Sequence, residues 1–415
     1  MSRDETGGLL LVSEWLGGGG IERNMETIAV HLQRRGRRVA VASWGIRPQI
    51  SGRPNPVLVR LAAVGIPVFN LTAQSPFSLS RLGWRLAHLA RHWGASALCG
   101  KELSAALAAV LAKLRSGGRL WVTAEFHNSA DIYARTGLSR GHRQLARWLL
   151  PRADRRLAVS AATRHDAAAF FGLRPESIAV VFNPMELPPG PATGELAPLS
   201  AEPLEIIACG RLKPMKGFDI LLRALARIRP ARDARLTVLG EGPLHASLAA
   251  LAGQLGLAGV VSWRGQVPDP RVFFRRARML VSASVFGESW GLAMAEAMSC
   301  GTPVIATRIG GVEELLGFGR YGTLVASGDP AALADSMAAV WDHPAQARRR
   351  AAAARAWVRQ FAADRIVPQL EAHSWPVSPL APAAPVPWLP EFAVSGGPEG
   401  GATPHCGMGG AIDVA

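Results

Sequence analysis

Two glutamates, Glu288 and Glu296, stand eight residues apart in GESWGLAMAEAMSCGTPVIA (Gly287–Ala306), where most neighbours are small or apolar. They could hold two parts of one ligand, since burying a carboxylate alone is costly; the plain alternative is that one lies at the surface and the other is a tolerated accident. Two cations, Arg211 and Lys216, stand in a second stretch, GRLKPMKG, ahead of a helical pattern. A helix start disfavours cations, but the same pair could neutralise charge developing on a leaving diphosphate. The alternative is two solvated side chains. In a third stretch, WLGGGGIERN, four glycines precede another helical pattern. Glycines let a ligand approach the backbone, and a helix N-terminus offers free N–H groups to phosphate; a plain tight turn uses them equally well. His127, in WVTAEFHNSAD, follows a short apolar run. A histidine at the carboxyl end of a strand faces a ligand cleft in an open α/β sheet, although a lone histidine is more often structural. Neither GxxxxGK[ST] nor a fitting GxGxxG is present, so neither an ATPase nor a dehydrogenase follows. No Asp-x-Asp pair or His cluster offers a metal site near the cations.

These groups need elements to hold them. LLLVS (Leu9–Ser13), then glycines, then the periodic Glu22–Arg35 reads as strand, loop, helix. EIIAC (Glu205–Cys209), then GRLKPMKG, then Phe218–Arg229 reads the same way, the opening of a βαβ unit. Further strands are expected at Arg38–Ser43 and Leu120–Ala124, and at Arg235–Leu239, Val260–Trp263, Met279–Ser282 and Pro303–Ala306. Alternating strands and helices predict parallel sheets covered on both faces, hence two doubly wound domains with the glycine loops and cations at strand carboxyl ends. Residues 1–185 form the first domain and 204–347 the second. The Pro- and Gly-rich stretch 186–203 reads as a linker. Arg348–Glu371 reads as one long helix within a 348–375 segment that crosses back to the first domain. The tail 376–415 is Pro- then Gly-rich and reads as disordered.

Composition bounds the class. The chain has 415 residues, 49% hydrophobic and 19% charged, which suits a core-rich two-domain protein. Four scattered cysteines, Cys99, Cys209, Cys300 and Cys406, read as reduced thiols in a cytosolic protein. No signal peptide and no membrane-spanning run of 18 apolar residues is recognised. Net charge is +15, and residues 1–185 hold 25 Lys and Arg against 11 Asp and Glu, a net of +14. Such a half attracts polyanions, whether nucleic acid, anionic membrane or phosphorylated substrate; an Arg-rich composition alone explains it equally well.

With these residues in view, the sequence resembles the retaining nucleotide-sugar glycosyltransferases of family GT4. The resemblance runs through GRLKPMKGFDILLRAL, LTVLGEGPL, VVSWRGQVPDP, SASVFGESWGLAMAEAMSCGTPVIATRIGGVEELL and GTLVASGDPAAL, in order. The N-terminal half matches more loosely, through GGGGIERN, His127 and LAVSAATRHDAAAFFGLRPESIAVVFNPME. It implies the GT-B fold, two Rossmann-like α/β domains facing a central cleft. It also implies transfer with retention of anomeric configuration and without a metal ion or cofactor, the nucleotide sugar being a substrate. Carried onto this sequence, Arg211 and Lys216 would bind the donor diphosphate, Glu296 the ribose hydroxyls and Glu288 the hydroxyls of the transferred sugar. Amides at Gly291, Leu292 and Ala293 would reach phosphates or sugar. Main-chain groups near Gln266 and Val267 would meet the base, Gly19 and Gly20 the diphosphate, and His127 the sugar from the acceptor side. Two departures stand out: Asn183-Pro184-Met185-Glu186 replaces the usual Asn-Gly-x-Asp, and Ala283-Ser284 replaces the usual Pro-Ser.

The acceptor is expected on the basic first domain, as a saccharide or lipid-linked saccharide in cell-surface polysaccharide or glycolipid synthesis. SRLGWRLAHLARHW (Ser80–Trp93) has helical spacing, with Arg81, Arg85, His88 and His92 on one side and Leu82, Leu86, Leu89 and Trp93 on another. It could lie on an anionic membrane at the inner face of the cell, or bury its apolar side in the core. A glycoside hydrolase fits less well. Eight helical residues rise about 12 Å, against ~5–9.5 Å for a hydrolase pair, and the Arg211/Lys216 pair would be idle. Specific nucleic-acid binding leaves the glutamates unexplained and lacks its signatures. A nucleotide-sugar epimerase and an inactive nucleotide-sugar-binding module remain as alternatives.

Overall fold

A computed structural model describes residues 7–50, 52–71, 79–135, 137–188 and 205–375. The expected linker beyond residue 188 and the expected tail lie outside them. Two parallel sheets organise the chain. The first holds β1 (Gly8–Leu16), β2 (Val39–Ile46), β3 (Val68–Asn70), β4 (Ala95–Gly100), β5 (Trp121–Phe126), β6 (Arg155–Ala158) and β7 (Ala179–Val180), in the order β3-β2-β1-β4-β5-β6-β7. The second holds β8 (Glu205–Cys209), β9 (Arg235–Leu239), β10 (Val261–Trp263), β11 (Met279–Ser282), β12 (Val304–Thr307) and β13 (Thr323–Val325), in the order β10-β9-β8-β11-β12-β13. Each sheet therefore reverses its winding beside its first strand. The switch points, where ligands bind in such sheets, fall between β1 and β4 and between β8 and β11. The loops leaving those four strands carry the glycines, Lys101 and Glu102, the cations, and Glu288.

The strands form because both faces are covered. Leu9 to Val12 are all buried, which explains why they read as an unbroken apolar run. The helices used below are α1 (Gly20–Arg34), α2 (Leu79–Trp93), α3 (Leu103–Arg115), α4 (Ala161–Phe171), α5 (Phe218–Ile228), α6 (Leu292–Ser299), α7 (Pro344–Trp357) and α8 (Ala363–Ser374). The small residues Ala105–Ala109 of α3 are buried against the sheet, and α2 lays Leu82 and Leu86 into the same core. Of the side expected to be basic, Arg85 is half-buried and donates to the Leu71 carbonyl, while Arg81, His88 and His92 are exposed.

The single helix expected at Arg348–Glu371 is two. Between α7 and α8 the backbone is claimed from far along the chain: Met185 N donates to Phe361 O and Ala363 N to Met185 O, both at 3.0 Å. Met185 and Ala362 form a parallel bridge, so helical bonding cannot run through. The chain thus crosses between the sheets twice, side by side. Phe182, Trp290 and Phe361 pack around these crossings, with ring centroids 4.7–5.1 Å apart. Asn183, at the unusual Asn-Pro-Met-Glu, accepts from Asn24 Nδ2 at 3.0 Å, and Glu186 meets His31 at 2.9 Å. Beyond the crossings α8 lies on the first sheet. Its His373 carbonyl accepts from Trp121 Nε1 at 3.0 Å and Thr123 Oγ1 at 2.8 Å. From the second half, Glu314 accepts from the Ala161 and Ala162 amides at the start of α4, each at 2.8 Å.

Candidate active site

The loop after β8 turns through a short 3₁₀ segment, Pro214–Lys216, into Gly217 and α5. Gly217 has φ +59°, and a Cβ there would lie 2.1 Å from the Ala283 carbonyl oxygen, so only glycine brings Lys216 this close to the loop after β11. Lys216 Nζ lies 2.5 Å from Glu288 Oε2, which also accepts from Ser284 Oγ at 3.1 Å. Positive charge is crowded here: the Lys213 ammonium is pushed below its ordinary pKa by the Arg211 charge first, then by burial and by Arg47. Mutual repulsion of this kind is relieved by an anion. Lys213 and Arg47 were not singled out from the sequence; Lys213 stands inside the quoted motif.

Glu296 is the fifth residue of α6, hence about one turn into the helix, and Glu288 precedes the helix, so the eight-residue interval between them is not all helical. Its side chain is 9% exposed and its Oε1 lies 2.7 Å from Arg23 Nη2. Oε2 is buried, with no hydrogen-bond partner among the described residues. Burial raises this carboxyl above its ordinary pKa, opposed by Arg23 and then Arg271. Gly291 caps α6 at φ +97°, and the amides of Leu292 and Ala293 lie in the first turn, where no intrahelical acceptor exists. In the loop after β10, Gln266 reaches across to the first half, its Nε2 donating to Gly18 O at 3.4 Å, while Val267 is half-buried beside it.

In the first half, α1 begins at Gly20 with Gly19 as its cap, two residues before the sequence pattern placed it. Among the described residues a Cβ on Gly20 would meet nothing within 4 Å, whereas one on Gly19 would strike the Glu22 carboxylate, 2.6 Å from its Oε2. The loop is therefore open at Gly20, while at Gly19 it faces the Glu22 carboxylate. Gly18 is where the loop touches the second half, since its Cβ would strike the Gln266 amide.

His127 directly follows β5 and is buried, its Nε2 2.9 Å from Glu125 Oε2. Lys101 Nζ lies 2.6 Å from the same oxygen, and Cys99 Sγ donates to Oε1 at 3.0 Å. Burial alone would raise the Glu125 carboxyl, but Lys101, His127 and Cys99 together pull it well below the carboxylate range. Burial lowers the His127 pKa against the pull of Glu125, which leaves a neutral ring whose Nε2–H donates to Glu125 and whose Nδ1 is an acceptor. Sequence reasoning missed Lys101 and Glu125, although a period of two already places Glu125 and His127 on one face. Nearby, burial and the charges of Glu14 and Glu22 push the Glu102 carboxyl up to about 8. Among the described residues, no group of three or more His, Cys, Asp or Glu side chains could hold a metal ion, and no helix is long and apolar enough to cross a membrane.

Comparison with known proteins agrees with this geometry. The sequence model of Glycosyltransferase Family 4 matches residues 18–187, and that of Glycosyl transferases group 1 matches residues 203–343. A D-inositol 3-phosphate glycosyltransferase of Streptomyces scabiei is 35% identical over 230 residues, 51% of this chain and 51% of the relative. One from Pseudarthrobacter chlorophenolicus is 38% identical over 194 residues, 44% of this chain and 46% of the relative. The chain spans about half the length of these curated relatives. Among solved structures, Anabaena HepE in complex with UDP superposes with a TM-score of 0.74 at 22% identity, covering 88% of this chain and 98% of that one. Sucrose-phosphate synthase from Thermosynechococcus elongatus gives 0.71 at 19%, with the same 88% and 98% covered. At such identities the likeness speaks for the fold, which is GT-B.

Proposed function

The chain belongs to the group 1, family 4 glycosyltransferases, and from that premise we propose that it transfers a hexosyl group from a UDP- or GDP-linked sugar to a saccharide or lipid-linked saccharide. Retention of configuration, independence of metal, and a place in cell-surface polysaccharide or glycolipid synthesis belong to the same proposal. The observation that carries it is the 2.5 Å contact between Lys216 and Glu288 beside the Arg211–Lys213 charge cluster. A diphosphate-binding cation touches a sugar-binding carboxylate, so the bond joining sugar to phosphate falls between them. In the reaction that C1–O bond breaks and its electron pair passes to the diphosphate, which Arg211 and Lys216 stabilise. An acceptor hydroxyl then bonds C1 and passes its proton to an oxygen of the departing diphosphate. His127, neutral and held by Glu125, offers Nδ1 to a sugar hydroxyl from the opposite side. HepE was crystallised with UDP-glucose, which supports a nucleotide sugar as donor here.

The test is a thermal-shift series with UDP, GDP and their common sugars, followed by product analysis with labelled donor. One nucleoside diphosphate should raise the melting temperature by mass action, and label should move to an acceptor. A protein whose melting temperature responds to none of them would overturn the reading.

We place the protein in the cytoplasm, on the inner face of the membrane. The exposed side of α2 carries Arg81, Trp84, His88, Arg91 and His92, with Trp84 59% exposed, a cationic face with an aromatic edge suited to anionic lipid. Co-sedimentation should be stronger with anionic than with neutral vesicles and weaken at high salt. Equal binding to both rejects the lipid contact and leaves the transfer reading intact.

A further inference from the structure

The two oxygens of Glu296 are not equivalent. Oε1 is held at 2.7 Å by Arg23, whereas Oε2 is buried and has no hydrogen-bond partner among the described residues. Leaving a carboxylate oxygen dry and unpaired is costly unless a donor arrives. Arg23 stands in the first turn of α1, three residues after Gly20. It reaches from the first half into α6 of the second, a pairing across 273 residues of sequence.

We propose that Arg23 is a positioning residue for donor binding: it pins one oxygen of Glu296 and leaves the other aimed at a vicinal diol, the ribose of a nucleoside diphosphate. This rests on the transfer reading above and adds the first half to donor recognition. Other charges surround the carboxylate, but they are committed elsewhere. Arg271 lies 2.8 Å from Asp269, and Arg60 donates to Glu26 at 2.8 Å. Cys209 at the end of β8 and Cys300 after α6 also lie within reach of the Glu296 charge, and burial raises the pKa of both, so both remain neutral thiols. Arg23 also joins the two ends of one ligand. The helix that carries it opens at Gly20, where the diphosphate would lie, and its guanidinium ends on the group that would hold the ribose.

A purely structural tie between the halves would look similar in the structure and behave differently in solution. The experiment is calorimetric titration of the full chain with UDP, GDP and their 2′,3′-dideoxy analogues, comparing the parent with Arg23→Ala, Arg23→Gln and Arg23→Lys. The parent should prefer the diol nucleotide to its dideoxy analogue. Arg23→Ala should lose about tenfold or more in affinity for the diol form, the scale of one charge-assisted hydrogen bond, and change little toward the analogue. Arg23→Lys should restore part of the loss. In turnover assays the effect should fall on donor KM, with kcat at saturating donor near the parent's. Should Arg23→Ala not fold, Arg23→Gln gives the same comparison with the side-chain volume kept. Equal loss for both nucleotides, or none for either, overturns the positioning role. A parent that binds nucleotides without regard to the diol overturns it too, while leaving the transfer reading standing. A parent that binds neither nucleotide removes the transfer reading and, with it, this one.

Discussion

Each half of the molecule sets a lysine from a switch-point loop against a glutamate, and the two pairs differ above all in access. Lys101 and Glu125 are 0% and 5% exposed, and Cys99 and His127 close the remaining bonds. Lys216 and Glu288 are 23% and 14% exposed, at the edge of a cluster of cations. The first pair is complete and shut. The second is what a ligand would part. On the transfer reading, the same two residue types close a buried cluster behind His127 in one sheet and stand within reach of a ligand in the other, and burial separates them.

That contrast can be broken by one substitution in each half. Lys101→Ala leaves the Glu125 carboxylate buried without its cation and should cost ~3–5 kcal/mol of stability, read as a fall in denaturant midpoint. The pH dependence should move with it. Because the Glu125 carboxyl is held below its ordinary value, it stabilises the parent above that value and loses the contribution as pH falls. Lys101→Ala should erase that acid-side dependence. Lys216→Ala should do the reverse. A part-exposed ion pair is worth little to the fold, so the melting temperature should stay near the parent's, while turnover should fall about 10²–10³-fold, the loss expected for one group that stabilises a leaving anion. If Lys216→Ala unfolds the protein, or Lys101→Ala is as stable as the parent, access does not separate the pairs.

The same difference explains what could be read from the sequence. Arg211, Lys216, Glu288 and Glu296 were readable because charged residues in apolar or glycine-bearing runs stand out, and the structure sets them on the loops and helix beside β8 and β11. Arg23 was not. In IERNMETIAVHLQRR it looks like one more polar position of an amphipathic helix, and only the fold brings Glu296 to it. Lys101 was hidden for a related reason. Its strand, ASALCG, is short and made of small residues, without the β-branched or aromatic signature of a strand. The strands β3, β6, β7 and β13 went unread too. The break between α7 and α8 could not be found locally, because the Ala- and Arg-rich pattern runs on and the interruption comes from Met185.

The smallest effects belong to two glycines in equivalent loops. Gly217, after β8, has a left-handed backbone and the Ala283 carbonyl where a Cβ would go. Gly217→Ala should cost about 2–3 kcal/mol, from the left-handed conformation and the overpacking together, and should weaken turnover because Lys216 moves with it. Gly20, after β1, is the first residue of α1 and has open space where its Cβ would be. Gly20→Ala should leave stability unchanged or raise it by up to ~1 kcal/mol, since alanine suits a helix better. Its effect should instead be a higher donor KM, because that open space is where the diphosphate is expected. Differential scanning calorimetry beside donor titration separates the two outcomes. A Gly20→Ala protein with unaltered donor KM would mean that this glycine serves the turn alone, leaving the first half to bear on the donor through His127 and, by way of Glu296, through Arg23.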